Sequence, residues 1–124
     1  MCAPDRGAPR RARRVLDAGI RVAFGSDCMP LGPLFGLHQA VNAPHPVQRL
    51  KVEEAIRCYT QGGAYAAFEE DLKGTLEPGK LADFVALSGD PFAQPEGIED
   101  LQVELTAIGG EVVFQRVSKT GDQR

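Results

Sequence analysis

An α/β unit followed by a β unit is the fold this sequence predicts, and three observations carry it. A basic helical stretch runs directly into Val22-Ala23-Phe24, apolar without alternation, which is how a strand covered on both faces reads. Helical periodicity returns from Val52 to about Phe68. After residue 74 the pattern is β throughout, ending in two apolar runs separated by Gly109-Gly110, the spacing of a two-residue hairpin.

The elements follow in order. Residues 1–9 are expected as a disordered tail, since Pro4, Gly7 and Ala8 offer nothing to bury. Pro9 suits a first helical turn, and Ala12, Val15 and Leu16 form an apolar stripe beneath the arginines. Gly19 takes the left-handed place after the helix, with Ile20 beyond it, so the helix ends near Ala18. The strand Ile20 to Asp27 comes next. Helix, turn and strand make half of a βαβ unit, and the edges of Arg21 to Gly25 would lack ladder partners. Pro30, Gly32, Pro33, Pro44 and Pro46 make residues 28–50 a long loop enclosing one short helix near Leu34 to Val41. Val52, Ala55, Ile56, Tyr59, Gly63 and Ala66 then follow helical spacing, with Glu53 and Glu54 at the positive end of the macrodipole. Gly62-Gly63 predicts a break near Thr60 to Gly63 or close packing against a neighbour. Glu77-Pro78-Gly79-Lys80 has the residues of a type II turn, and strands are expected at Leu81 to Leu87, Val103 to Ile108 and Glu111 to Val117. The two units join near Asp71 to Gly74, and residues 118–124 form a second tail.

Composition bounds the function. The 124 residues carry a net charge of -3, with 43% hydrophobic and 25% charged residues, the balance of a soluble globular domain. That length is too short for a complete (β/α)8 barrel, which takes about 200 residues or more. No apolar run reaches a membrane span of roughly 18 residues, and the basic N-terminus lacks a secretory apolar region. Cys2, Cys28 and Cys58 are odd in number and in no metal spacing, so reduced thiols in the cytoplasm are expected rather than a disulfide framework. Residues 1–21 hold six arginines against two acids, the remainder eight bases against fifteen acids. With a pI near 5.4 and no aromatic interleaving, the arginines read as a solvated helix face rather than a nucleic-acid surface.

Asp27 is the most informative position, a carboxylate at the C-terminal end of a covered strand, where α/β folds place ligands and catalytic groups. Aspartate serves turns and helix caps equally well, so position alone leaves both readings open. Cys28 could act as a nucleophile, but no histidine stands at a telling spacing, and pocket lining is expected of it and of Met29. His38 and His45 show no metal-binding spacing and read as surface or satisfied histidines. Asp83 reads as a side chain accepting backbone N–H bonds at a turn or strand entry.

Three stretches in this order carry a family resemblance. Arg14 to Asp27 resembles the last barrel strand of metal-dependent amidohydrolases, Gly74 to Leu87 the return from barrel to β-sandwich, and Thr106 to Phe114 the closing hairpin. Tyr59-Thr60 and Ala64 to Asp71 further resemble the branch containing N-substituted formamide deformylases. The resemblance implies the terminal strand and helices of a (β/α)8 metallo-hydrolase barrel over residues 10–73, then part of the accompanying β-sandwich over 74–117. It also implies hydrolysis of carbon–nitrogen bonds other than peptide bonds, in small amide-type substrates. Asp27 would be both metal ligand and proton shuttle, with a divalent ion, zinc first, in the complete enzyme. The family's HxH pair has no counterpart in this sequence, and Cys28-Met29-Pro30 stands where that branch often has Trp-Pro-Val. A catalytic zinc takes about three protein ligands, and Asp27 supplies one. The chain is therefore expected to bind no metal stably and to be inactive alone. The alternative is a non-catalytic module that self-associates through its unpaired strand or completes a separately encoded barrel, with neither nucleic acid nor membrane as partner.

Overall fold

The computed structural model describes residues 8–26 and 32–117. Helix α1 spans Ala8–Asp17 and ends as its sequence dictates. Gly19 has φ +76, its N–H bonds the Leu16 carbonyl at 2.9 Å, and the Ile20 N–H bonds Val15 at 3.1 Å. This double closure satisfies the last carbonyls of the helix, and only glycine reaches that φ without a Cβ penalty.

The strand expected from Ile20 does not form over the described residues 20–26. A strand exists by virtue of its ladder, and the described strands pair only with one another. The segment instead docks on helices. The Phe24 N–H bonds the Cys58 carbonyl at 3.0 Å, and a Cβ on Gly62 would lie 2.1 Å from the Val22 carbonyl oxygen. Both expectations for Gly62-Gly63 hold together. The periodic stretch breaks at Thr60 into α3 (Val52–Tyr59) and α4 (Gln61–Ala66), and the glycine there admits a neighbouring backbone.

Helix α2 spans Pro33–Val41, with proline in its first turn as φ near −65° favours. Leu37, Ala40 and Val41 of α2 meet Val52 and Ala55 of α3, Ala12 of α1, and Leu50 in one buried cluster. Ile98 completes it with no exposure at all. That residue comes from a 3-10 turn, Pro95–Asp100, and a second such turn covers Pro46–Gln48. Neither is signalled by periodicity, because Pro44 and Pro46 punctuate one stretch and Pro95 and Gly97 the other. The Asn42 amide donates to the Pro95 carbonyl at 2.9 Å, tying the later turn to the end of α2.

The sheet is antiparallel in the order β1 (Phe84–Leu87), β2 (Val103–Ile108), β3 (Glu111–Gln115). The β2–β3 turn places Gly109 and Gly110 at φ +58 and +83, the paired left-handed residues of a type I′ hairpin. Strand β1 starts later than the expected Leu81 because the preceding residues are otherwise engaged. The Leu81 N–H bonds Leu72 at 2.8 Å, and the Ala82 carbonyl accepts from Gly110 at 3.0 Å. Phe84, Ala107 and Val112 lie across one face, and Val85, Thr106 and Phe114 across the other. Both faces leave large apolar side chains uncovered, with Val112 and Phe114 each half exposed.

Candidate functional site

Asp27, Cys28 and Met29, the residues to which the sequence points, lie outside the described residues. What the structure describes is the frame on either side of them, ending at Ser26 and resuming at Gly32. On the entering side, the Phe24 ring meets the Tyr59 ring edge-on, centroids 5.4 Å apart and planes at 71°. Upstream, the Arg21 guanidinium sits 4.2 Å from the centroid of Tyr65 on α4, a cation–π contact. On the leaving side, a Cβ on Gly36 would lie 1.9 Å from the Tyr59 hydroxyl oxygen. Burial pushes the Tyr59 hydroxyl above its ordinary range, and burial together with the Glu54 charge does the same to the Cys58 thiol. Cys58 is thus a free, buried thiol.

His38 and Asp83 have partners among the described residues, and His45 is exposed. The His38 ring lies 3.3 Å from the Asn42 amide through Nδ1 and 3.7 Å from a Glu99 carboxylate oxygen through Nε2. His45 stands exposed before the Pro46–Gln48 turn. The Asp83 carboxylate accepts the Gly109 N–H at 2.7 Å, pinning the hairpin turn as a turn-binding aspartate should. Among the described residues no three His, Cys, Asp or Glu side chains group in a way that could hold a metal ion. The described donor set therefore does not fit a metal by itself.

An ion-paired network joins α1 to α3. Arg13 donates to Asp17 on its own helix and to Glu54 at 2.7 Å, while the Glu54 carboxylate also accepts the Lys51 N–H at 2.8 Å. Desolvation opposes the Glu54 charge, yet the Lys51 N–H and the Arg13 guanidinium outweigh it and hold the carboxyl below its ordinary value. Glu54 so fastens α1 to the first turn of α3.

Sequence reading passed over Tyr59, Gly36 and the part Gly62 plays in seating Val22. Tyr59 occupies a periodic apolar position, and nothing in a period distinguishes core bulk from a ring that bridges two segments. The only available signal was the glycine inside α2, which costs about 1 kcal/mol relative to alanine and so asks for a reason.

Comparisons with known proteins bear on the whole stretch. The profile described as the amidohydrolase family matches residues 5–114. The Bacillus subtilis protein YtcJ, which bears an amidohydrolase name, is 36% identical over 117 residues, covering 84% of this chain and 22% of its own length. The N-substituted formamide deformylase of Arthrobacter pascens is 33% identical over 114 residues, covering 84% and 21%. A crystal structure of an amidohydrolase from Thermotoga maritima superposes with a TM-score of 0.68 at 33% identity, covering 87% and 26%. The chain thus spans about a quarter or less of each of these relatives.

Proposed function

This chain belongs to the amidohydrolase family, and from that membership we propose that it forms the C-terminal portion of a hydrolase acting on carbon–nitrogen bonds other than peptide bonds. The observation that carries the reading is the family match over residues 5–114, a range that includes Asp27. Residues 10–73 are read as the end of a barrel and residues 74–117 as strands of the accompanying β-sandwich. Two physical features agree with this. The segment 20–26 is apolar at Val22 to Phe24 and docked on α3 and α4, yet has no ladder among the described residues. The sheet exposes apolar side chains on both faces, as a layer does when its covering layer is elsewhere.

In this reading Asp27 is the residue of the chain that touches the reacting atoms. Its carboxylate accepts a proton from the attacking water and hands it to the leaving nitrogen, work that needs a group able to change protonation state near neutral pH. Asp27 would also be a metal ligand, alongside donors from outside these 124 residues. A bound divalent ion lowers the pKa of its water toward neutrality. The substrate class is a small amide-type molecule, Cys28 and Met29 lining its pocket, and the setting a reducing cytoplasm.

The test is a chimera in which this chain replaces the matching segment of the Arthrobacter pascens deformylase. The chimera is expected to hydrolyse N-substituted formamides, and Asp27→Asn to lower kcat by about 10²–10⁴-fold, the usual worth of a positioned acid–base group. A folded chimera whose turnover ignores Asp27→Asn would sink the reading. The isolated chain supplied with zinc is expected to show no turnover.

A second reading, a non-catalytic module that assembles with itself, is favoured by one observation. Val85 and Phe114 on one sheet face, and Phe84 and Val112 on the other, are all at least 40% exposed. A monodisperse monomer in sedimentation would remove it.

A further inference from the structure

We propose that Tyr59 is a positioning residue, one side chain that fixes the backbone on both sides of residues 27–31. On the entering side its ring takes the edge of Phe24, whose N–H is bonded to the carbonyl of Cys58, the residue before Tyr59. On the leaving side its hydroxyl occupies the space that a Cβ on Gly36 would need. That Cβ would lie 1.9 Å from Oη and 3.0 Å from Cζ. The ring therefore spans from the segment that ends at Ser26 to the second turn of α2.

A core residue would need only bulk, and one cost shows that more than bulk is involved. Helix α2 carries glycine where alanine would be the better helix former. What fills the vacant Cβ position is the polar end of the partly buried Tyr59. Leucine or phenylalanine in its place would fill most of the same volume without carrying an oxygen into the helix. Gly62 seats Val22 and Tyr59 seats Phe24, so alternate residues of the approach to Asp27 are held from the α3–α4 side. The extension to Asp27 rests on the function proposed above; the clamp itself does not.

The clamp is tested in the full chain by Gly36→Ala, Tyr59→Phe and the double variant. Hydrogen exchange at the Phe24 amide and thermal unfolding are the readouts. Gly36→Ala is expected to push Tyr59 away and lower Phe24 protection by about tenfold, although alanine favours the helix. Tyr59→Phe, which keeps the edge contact, is expected to leave that protection within about twofold, and the double variant to recover most of the loss as neighbouring sites couple. Gly36→Ala with unchanged or higher protection overturns the proposal. Should Gly36→Ala fail to fold, Tyr59→Leu decides. Loss of Phe24 protection at an unchanged unfolding midpoint supports positioning, and loss only in proportion to a lowered midpoint overturns it.

In the chimera, Tyr59→Leu is expected to lower kcat with KM unchanged, and Tyr59→Phe, which keeps the edge contact with Phe24 but loses the hydroxyl against Gly36, to recover part of it. KM and kcat falling together with folded protein would overturn the link to Asp27. If the parent chimera is inactive, the proposed function falls and the exchange experiment still decides the clamp.

Discussion

Phe68 takes φ +59 and is 92% exposed. It stands where α4 closes. Its N–H bonds Tyr65 at 3.0 Å and the next N–H, that of Glu69, bonds Ala64 at 2.8 Å, the same closure that Gly19 makes after α1. A left-handed residue with a Cβ costs roughly 1–2 kcal/mol, and the exposed ring recovers little of it. Phe68→Gly is therefore expected to stabilise the chain by about 1 kcal/mol, net of the added freedom of the unfolded glycine, in urea denaturation. Glu54 makes the second prediction at this scale. Its carboxyl is held below the ordinary 4.5 in the folded chain, so the unfolded chain binds the proton more readily. The stabilisation is complete above pH 4.5 and is lost as the pH falls through the lower folded value. Urea midpoints compared at about pH 6 and pH 3 should fall further in the parent chain than in Glu54→Gln, which has no carboxyl to protonate.

Among the elements, the break between α3 and α4 matters most, because Gly62 there receives the backbone of residue 22. The clash a Cβ would make is with a carbonyl oxygen at 2.1 Å, and a backbone atom has no rotamer to escape into. Gly62→Ala is expected to destabilise the chain by about 1–3 kcal/mol, the usual cost of overpacking, against about 1 kcal/mol gained in helix propensity. Thermal unfolding checks the sign, and faster exchange at the Phe24 amide checks the cause. Much at this scale was legible beforehand. Gly19, the Glu77–Lys80 turn with Gly79 at φ +92, and the Gly109-Gly110 hairpin all rest on backbone geometry that few residues adopt. The strand expected from Ile20 does not form over the described residues, and the sequence already pointed to the cause, since the half βαβ unit leaves Arg21 to Gly25 without ladder partners. Ile98, by contrast, was hidden. One apolar residue among Pro, Glu, Gly and Asp reads as loop, and only the tertiary structure shows it fully buried against α2 and α3. Asp27 was found by its place after an apolar strand and by resemblance; Tyr59 was missed because its period is that of any core residue.

At the scale of the whole molecule, the core of the described residues is small, and large apolar side chains lie exposed around it. Half of the twelve buried hydrophobic residues are alanines, and Ile98 is the largest side chain fully enclosed among the described residues. The pairing of the sheet carries one more consequence, for the order of folding. Every strand contact lies within residues 84–115, between neighbours in sequence, whereas Ile98 must find Leu37 and Val52, and Phe24 must find Cys58. Short loops close early and distant ones late. In pulse-labelled refolding, the amides of Ser88 and Arg116, bonded to Gln102 and Glu104, are expected to gain protection ahead of Phe24. The hairpin would then be in place, its apolar faces still open, before the helices draw the approach to Asp27 into position.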